Sequence, residues 1–512
     1  MPGAETDGIF CIAETASGKI QGLVNASVRQ FKGVPYGAST GGENRFMPPK
    51  KPVPWAGTRE CIGYGQISPQ VPTDAKNLYG QLIHFDLAGG AGGMGEDCLH
   101  LNIWTPALRD GGKRAVLFSI HGGGFAIGSG NCELFDGAQL ALRDDVVVVT
   151  VTHRLASFGY TSLVDAGAPE EFAMSGCAGI MDIVLALEWV RDNISNFGGD
   201  PDRVMIFGQS GGGWKTGILL ATDAAKGLFH RAAVQSGSVL RLQTRDEAAG
   251  AAAALIAALG LTKNSIADIQ KVPWQTLLAA QAVTGANLFS PVLDGSYWRN
   301  HPFDPVAPSQ SADVPLIVST TLDDAGLFFP NYDVSEEDLE TFLHARYADA
   351  SQEMLKLYKS KWPEKKPFLL QAQIITDAGF RRFAYAQADL KAAQRGAPVY
   401  MYRWDWPGPG FDGLYGAVHA IDVAASFRNV RDPILGAGCM TGRNLSDRLA
   451  ASWVAFAKTG SPQNDLVENW PAYNSVDRAT MIFDDPSHLT NDPNREIREF
   501  WSRMPPASTV FG

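Results

Sequence analysis

Ser210 has the sequence context of a serine nucleophile. It lies in residues 204–220, VMIFGQSGGGWKTGILL, where four apolar residues predict a buried strand, GQSGG follows, and a helical pattern comes next. A G-x-S-x-G between a strand and a helix is typical of a nucleophile elbow. Small residues are needed at 208 and 212 because the sharp turn leaves no room for side chains between strand and helix. The context therefore predicts acyl-transfer chemistry through Ser210.

Two other glycine-rich stretches match motifs without the required context. Residues 37–41, GASTG, fit the same serine pattern, but Pro48 and Pro49 follow and no helical periodicity does. Residues 90–95, GAGGMG, match the dinucleotide fingerprint G-x-G-x-x-G, which requires a helix after it. A predicted strand follows instead. We interpret both matches as loops.

A run of three glycines upstream is suited to stabilising negative charge. An apolar strand pattern at 115–120 ends in HGGGF, residues 121–125. Consecutive glycines leave backbone N–H groups uncovered and able to approach a ligand, as in the oxyanion loops that accompany G-x-S-x-G. The alternative is a flexible turn, and the presence of Ser210 favours the oxyanion loop.

A serine nucleophile needs a base, and histidine is the usual one. Where G-x-S-x-G forms a nucleophile elbow, the triad follows the chain order serine, acid, histidine, and three of the nine histidines lie far enough downstream. His344 lies in a helical pattern and His488 in a polar segment. His419 follows a predicted strand on a glycine-bearing loop, where catalytic residues are common. The pattern favours His419, although a lone histidine is more often structural.

Alternating strand and helix patterns must position these residues. Strands are predicted at 18–24, 28–34, 146–152, 314–320 and 398–406, and helices at 181–196, within 336–395, at 446–459 and at 495–504. Such alternation predicts an α/β sandwich, and the short N-terminal strands predict an antiparallel edge on a mixed sheet. No linker, low-complexity tract or repeat divides the 512 residues. We therefore expect one domain, residues 1–512.

Composition excludes several other classes of protein. With 45% hydrophobic and 19% charged residues, the chain has the composition of a typical globular protein. Its net charge of −11 argues against nucleic acid and anionic membranes as partners. No apolar run approaches the roughly 20 residues of a membrane span. The N-terminus lacks signal-peptide features, which predicts a cytoplasmic location, with secretion as the alternative if a leader has been removed. Six cysteines show no metal-ligand spacing, so no metal is expected.

Motifs in a fixed order resemble those of type-B carboxylesterases of the cholinesterase-like family, including microbial para-nitrobenzyl-esterase-like members. The resemblance covers nearly the whole chain and implies the α/β-hydrolase fold. In that fold a large, mostly parallel mixed sheet is flanked by helices, with loop and helical insertions over the active site. The motifs are EDCLHLNIW (96–104), HGGGF (121–125), NFGGDPDRV (196–204), FGQSGGG (207–213), KGLFHRAAVQSGS (226–238) and FAKTGSPQ (456–463).

The resemblance also implies a role for individual residues. The family's acid is usually a glutamate in a D-E-G-like motif, and an ungapped alignment of 320–324 places Asp324 there, one methylene shorter. Asp323 matches an aspartate that the family keeps for structure. The implied site consists of the nucleophile Ser210, the acid Asp324, the base His419, and oxyanion N–H groups from Gly123, Gly124 and Gly211.

Other positions bear on specificity and stability. Gln209 stands where cholinesterases carry glutamate, and residues 61–98 contain no tryptophan for a quaternary ammonium, so a choline ester is disfavoured. Trp214 and Phe289 resemble pocket positions, with a plain core role as the alternative. Ser236 resembles a serine that hydrogen-bonds near the triad. Cys61 and Cys98 resemble the family's loop-closing disulfide pair.

The expected function is hydrolysis of a small-molecule carboxylic ester through an acyl-enzyme, without a cofactor or metal. An acyltransferase, amidase or carbamate hydrolase would use the same triad. A non-catalytic binding member of the family is disfavoured because those have lost the nucleophile, whereas this chain keeps it. The oligomeric state is left open.

Overall fold

The computed structural model describes residues 8–71, 92–431 and 435–505. Within these residues the strands form one 13-stranded sheet. The strands are β1 Phe10–Thr15, β2 Gly18–Asn25, β3 Val28–Pro35, β4 Thr58–Glu60, β5 His100–Thr105, β6 Arg114–Ile120, β7 Val147–Val151, β8 Gly199–Gln209, β9 Arg231–Gln235, β10 Leu316–Thr321, β11 Val399–Trp404, β12 Ala479–Phe483 and β13 His488–Asn491.

The sheet is parallel in its centre and antiparallel at both edges. Its order is β1-β2-β3-β5-β7-β6-β8-β9-β10-β11-β12-β13, with β4 paired to β2. Every neighbouring pair from β7 to β12 is parallel, whereas the pairs from β1 to β7 and the final pair are antiparallel. The predicted mixed sheet with an antiparallel N-terminal edge is confirmed. His488, expected in an irregular polar segment, instead begins an exposed edge strand.

Helices occupy most of the segments for which helical periodicity was predicted. None of them, within the described ranges, combines the length and hydrophobicity that a membrane crossing requires. Their bounds are α1 Ala138–Asp144, α2 Ala156–Tyr160, α3 Ala178–Asn193, α4 Gly211–Leu220, α5 Arg245–Ala258, α6 Trp274–Thr284, α7 Glu336–Tyr347, α8 Ala350–Lys361, α9 Pro367–Thr376, α10 Arg382–Ala393, α11 Ile421–Ser426, α12 Met440–Thr459 and α13 Arg495–Arg503.

Two hydrophobic cores cover the two faces of the sheet. Along β6, Val116 and Phe118 belong to one core, whereas Ala115 and Leu117 belong to the other. This follows from the two-residue period of a strand, which sends successive side chains to opposite faces. The first core includes residues of α3 and the second includes residues of α12. A smaller third core joins α7, α8 and α9 to α13.

The parallel strands bring the chemically active segments to one edge of the sheet. The carboxyl ends of β6, β8, β9 and β10 are adjacent, since Ile120 pairs with Gly208 and Gln209 pairs with Gln235. The residues that follow these four strands therefore meet at that edge. His419 joins them because Asp323, just after β10, forms a bridge with Val418.

Candidate active site

Ser210 lies at a sharp turn between β8 and α4. Its backbone has φ 57° and ψ −125°, a conformation of the kind that costs on the order of 1–3 kcal/mol. The flanking glycines make room for it. A Cβ at Gly208 would lie 2.5 Å from the carbonyl carbon of Gly212, and a Cβ at Gly212 would lie 2.1 Å from the Ile120 oxygen. The predicted need for small residues at 208 and 212 is confirmed.

The HGGGF loop packs directly against this turn. A Cβ at Gly211 would lie 2.4 Å from the Gly124 nitrogen, and one at Gly122 would lie 3.6 Å from the Ser210 Cβ. Gly123 and Gly124 have φ values of 86° and 62°. Within the described part of the chain, the N–H groups of Gly123, Gly124 and Gly211 have no hydrogen-bond acceptor. These donors are therefore available to an oxyanion near Ser210.

The imidazole of His419 is held by Asp324. Nδ1 of His419 lies 2.7 Å from Oδ1 of Asp324, and both side chains are fully buried. The other carboxylate oxygen accepts hydrogen bonds from Ser236 Oγ at 3.0 Å and from the Thr321 N–H at 2.8 Å. A carboxylate beside Nδ1 fixes the tautomer that carries its proton on Nδ1 and leaves a lone pair on Nε2. The hydrogen bond expected of Ser236 is present.

The second ring nitrogen of His419 is free for chemistry. Nε2 is buried, and no described residue hydrogen-bonds to it. The rings of Phe328 and Phe380 lie beside the imidazole, with centroids 5.2 Å and 5.3 Å from its own. These aromatic side chains limit the access of water and the rotation of the ring. A base held in this way can exchange a proton with a serine hydroxyl.

Asp323, the neighbour of Asp324, faces away from the imidazole. Its carboxylate forms a buried ion pair with Lys365 and accepts a hydrogen bond from the Ala417 N–H at 3.0 Å. Burial raises the pKa of Asp323, and Lys365 opposes that shift. Asp323 thus ties the end of β10 to the loop that carries His419.

Sequence patterns did not reveal a further buried acid near Asp324 and His419. Asp422, in α11, is fully buried and accepts a hydrogen bond from the Tyr402 hydroxyl at 2.7 Å. Tyr402 in turn accepts one from the Gln235 amide at 3.1 Å. Burial raises the pKa of Asp422 to about 6, and the negative charge of Asp324 adds to the shift. No local motif marks Asp422, because its burial depends on strands distant in sequence.

The remaining predicted residues take different positions. Trp214 is half-buried, stacks on Phe125 at a centroid distance of 5.6 Å, and lies against Gly124. Phe289 is 1% exposed and belongs to the first core. Gln209, at the end of β8, is buried and lies beside Gly122. Trp214 therefore borders the turn that carries Ser210, whereas Phe289 packs in the first core.

The disulfide that the resemblance implies is not formed in the structure. Cys61 and Cys98 are both buried free thiols. Burial raises the pKa of Cys61 to about 12 and raises that of Cys98 as well. Protonated thiols are poor nucleophiles for disulfide formation. Among the described residues, no group of three or more acidic, histidine or cysteine side chains is arranged to hold a metal ion.

Comparison with known proteins gives one consistent result. A model of the carboxylesterase family matches residues 11–501. The chain is 36% identical over 507 residues to the para-nitrobenzyl esterase of Bacillus subtilis, covering 95% of this chain and 98% of that protein. It is 31% identical to a phenmedipham hydrolase of Pseudarthrobacter oxydans, covering 93% and 95%. A crystal structure of a Geobacillus stearothermophilus carboxylesterase has a TM-score of 0.82 at 33% identity, covering 96% of this chain and 99% of that one.

Proposed function

Because the chain belongs to the carboxylesterase family and is a carboxylesterase, we propose that it hydrolyses small-molecule esters through an acyl-enzyme on Ser210. Asp324 and His419 complete the proposed triad, and Gly123, Gly124 and Gly211 line the proposed oxyanion hole. The observation that carries this proposal is the 2.7 Å contact between Asp324 and His419, which leaves Nε2 as the open ring nitrogen.

The first half-reaction transfers the acyl group to the enzyme. The Ser210 oxygen attacks the ester carbonyl carbon while its proton passes to His419 Nε2. The carbonyl oxygen becomes an oxyanion, which the three glycine N–H groups stabilise. As the intermediate collapses, the bond to the leaving oxygen breaks and His419 gives that oxygen its proton. Asp324 stabilises the imidazolium that exists between these two proton transfers.

The second half-reaction returns the free enzyme. Water gives a proton to His419 Nε2 and attacks the acyl carbon, so that the same oxyanion forms again. Collapse then breaks the bond to Ser210, which recovers its proton from His419 and releases the carboxylic acid.

Replacing the proposed nucleophile tests the assignment. Ser210→Ala is expected to lower kcat for a p-nitrophenyl ester by on the order of 10⁵–10⁶, as removal of a triad serine does. Ser39→Ala is the matched control, because Ser39 lies in the GASTG motif match and is exposed. The control is expected to keep the wild-type kcat. A folded Ser210→Ala variant with near wild-type turnover would refute the proposal. Recovery of the free acid in stoichiometric yield separates hydrolysis from acyl transfer.

The name of the Bacillus relative suggests the second substrate to measure. That protein is called a para-nitrobenzyl esterase, so a p-nitrobenzyl ester, measured beside the p-nitrophenyl series, gives the leaving-group preference of this enzyme.

A further inference from the structure

Lys215 is a buried amine that the proposed reaction does not use. It lies on α4, five residues after Ser210, with no exposed surface. Burial lowers the pKa of its ammonium to about 7. Within the described residues it forms no ion pair with a carboxylate. Burying an amine that has no carboxylate partner is costly for a fold, so packing alone does not explain why a lysine occupies this position.

The amine contacts the HGGGF loop on two of its carbonyl groups. Nζ of Lys215 donates to the Gly124 oxygen at 2.8 Å and to the His121 oxygen at 3.2 Å. A protonated amine has three N–H groups and a neutral one has two. Both forms can therefore donate a hydrogen bond to each of the two carbonyl oxygens. The contact persists when the amine gains or loses a proton.

The other three carbonyl groups of the loop accept from other donors. The Phe125 oxygen accepts from the Ala156 N–H at 2.7 Å. The Gly122 oxygen accepts from His121 Nδ1 at 2.9 Å, which requires the proton on that nitrogen. The Gly123 oxygen accepts from the N–H groups of Ala126 at 3.2 Å and Ile127 at 3.1 Å. Burial, assisted by the charge of Lys215, lowers the pKa of His121 to about 3 and keeps the ring neutral. The carbonyls of His121 to Phe125 are thus all fixed, and among the described residues only Lys215 donates to those of His121 and Gly124.

Fixed carbonyls determine where the free N–H groups of the loop point. In a trans peptide the N–H is directed opposite to the carbonyl of the preceding residue. The carbonyls of Gly122 and Gly123 therefore orient the N–H groups of Gly123 and Gly124. Lys215 holds the peptide groups on either side of these two, which prevents rotation in a loop whose glycines have little intrinsic preference.

Lys215 also connects this loop to the helix that supplies the third donor. Gly211 and Lys215 are four residues apart in α4 and lie on the same face of the helix. The backbone of Gly211 touches Gly124, and the side chain of Lys215 binds Gly124 one turn further along. The two halves of the hole are joined at this point.

We propose that Lys215 is a positioning residue of the oxyanion hole, which ties the loop donors Gly123 and Gly124 to the helix donor Gly211. The inference rests on the proposed function, since it concerns the same hole. A residue that only filled space would be replaced without loss by an apolar side chain of equal length. A residue that orients donors cannot be replaced in this way without loss of activity. Its removal weakens stabilisation of the transition state and leaves substrate binding nearly unchanged.

Lys215→Met is the direct test, because methionine has a similar length and volume and no donor. The expected result is a 10- to 100-fold decrease in kcat for p-nitrophenyl butyrate, with KM changed by less than threefold. Affinity for an alkyl trifluoromethyl ketone, which forms an oxyanion after addition of a serine, is expected to decrease by a similar factor. Thr216→Val is the matched control, since Thr216 is buried next to Lys215 and its hydroxyl bonds only to its own helix at Gly212. It is expected to change kcat and ketone affinity by less than threefold.

A folded Lys215→Met variant with wild-type kcat and ketone affinity would overturn the proposal. If the methionine variant does not fold, Lys215→Leu, which also lacks a donor, replaces it and is judged by the same criteria. If neither folds, wild-type protein labelled at lysine Cε is titrated with the ketone. In the wild type, one lysine NMR signal is expected to shift when the ketone binds. In Ser210→Ala, no lysine signal is expected to shift. A wild-type spectrum in which no lysine signal shifts would overturn the inference. Failure of the proposed function is distinct, because Ser210→Ala would then hydrolyse esters at the wild-type rate.

Discussion

The carboxylates of Asp323 and Asp324 bind different partners although the two residues are adjacent in the chain. Asp324 meets His419 Nδ1 at 2.7 Å, whereas Asp323 pairs with Lys365 and the Ala417 N–H. The chain turns directly after β10, so adjacent side chains diverge. Asp324 reaches the imidazole even though it is one methylene shorter than glutamate, because the His419 loop is held to the end of β10 through Asp323.

Replacing the two aspartates should separate orientation of the base from stability. Asp324→Asn is expected to lower kcat by on the order of 10⁴, because an amide no longer selects the tautomer with its proton on Nδ1. Asp323→Asn should instead lower the free energy of unfolding, by about 3–5 kcal/mol, because it leaves the Lys365 charge without its buried partner. Steady-state kinetics and denaturant unfolding of both proteins measure these effects. If the larger kcat loss per folded molecule belonged to Asp323→Asn, Asp324 would not be the triad acid.

Asp422 should make stability depend on pH. Its folded pKa of about 6 lies above the usual value near 3.9. Between these values the unfolded chain has lost the proton and the folded protein keeps it, so this contribution to stability is complete at low pH and disappears as pH rises through about 6. Asp422→Asn does not lose stability in this way as pH rises, because an amide does not titrate. Relative to wild type, its free energy of unfolding should rise by about 2 kcal/mol between about pH 4 and about pH 7.5. A difference between the two proteins that is constant with pH would contradict this.

Trp214 should limit the length of the acyl chain. It is half-buried against Gly124 and stacked on Phe125, so Trp214→Ala is expected to open space beside the reacting carbon. The ratio of kcat/KM for decanoate to that for acetate should rise about tenfold, in line with a few buried methylenes. Phe289→Ala is the comparison: it should lower the free energy of unfolding by about 3–5 kcal/mol and leave the ratio unchanged. An unchanged ratio for Trp214→Ala would assign this tryptophan to the core.

All six cysteines should be reduced, with no disulfide between them. Cys61 and Cys98 are buried with raised pKa values, so they should react with a disulfide reagent only after denaturation. The more exposed thiols, Cys11 and Cys439, are expected to react first in the native protein. Protein purified without oxidant should give six thiols in denaturant. A count of four would show that one disulfide has formed and would contradict this prediction.

Local sequence patterns were sufficient to predict the elements that carry Ser210 and the HGGGF loop. The strand before Ser210, the helix after it and the need for glycines at 208 and 212 all follow from short-range sterics, and the structure has them. The pairing of Asp324 with His419 joins residues 95 positions apart. It was anticipated only through a family resemblance, because no local rule brings those segments together.

Lys215 and Asp422 could not be predicted in the same way. From the sequence, Lys215 and Asp422 would both be predicted to be exposed, since charged side chains are rarely buried without a partner. Their burial results from β-strand order and from the packing of loops over the carboxyl edge of the sheet. Cys61 and Cys98 show the converse, because the resemblance implies a possible disulfide between them and the structure has two thiols.

Trapping the proposed acyl-enzyme on Ser210 is the decisive experiment. Enzyme mixed with excess p-nitrophenyl butyrate is quenched in acid within milliseconds, digested and analysed by mass spectrometry. We expect a near-stoichiometric butyryl group on the peptide that contains Ser210, formed at the rate of the p-nitrophenol burst. The group should be absent from Ser210→Ala. A stoichiometric butyryl group on another residue, or full turnover with no modified peptide at any quench time, would contradict the proposal.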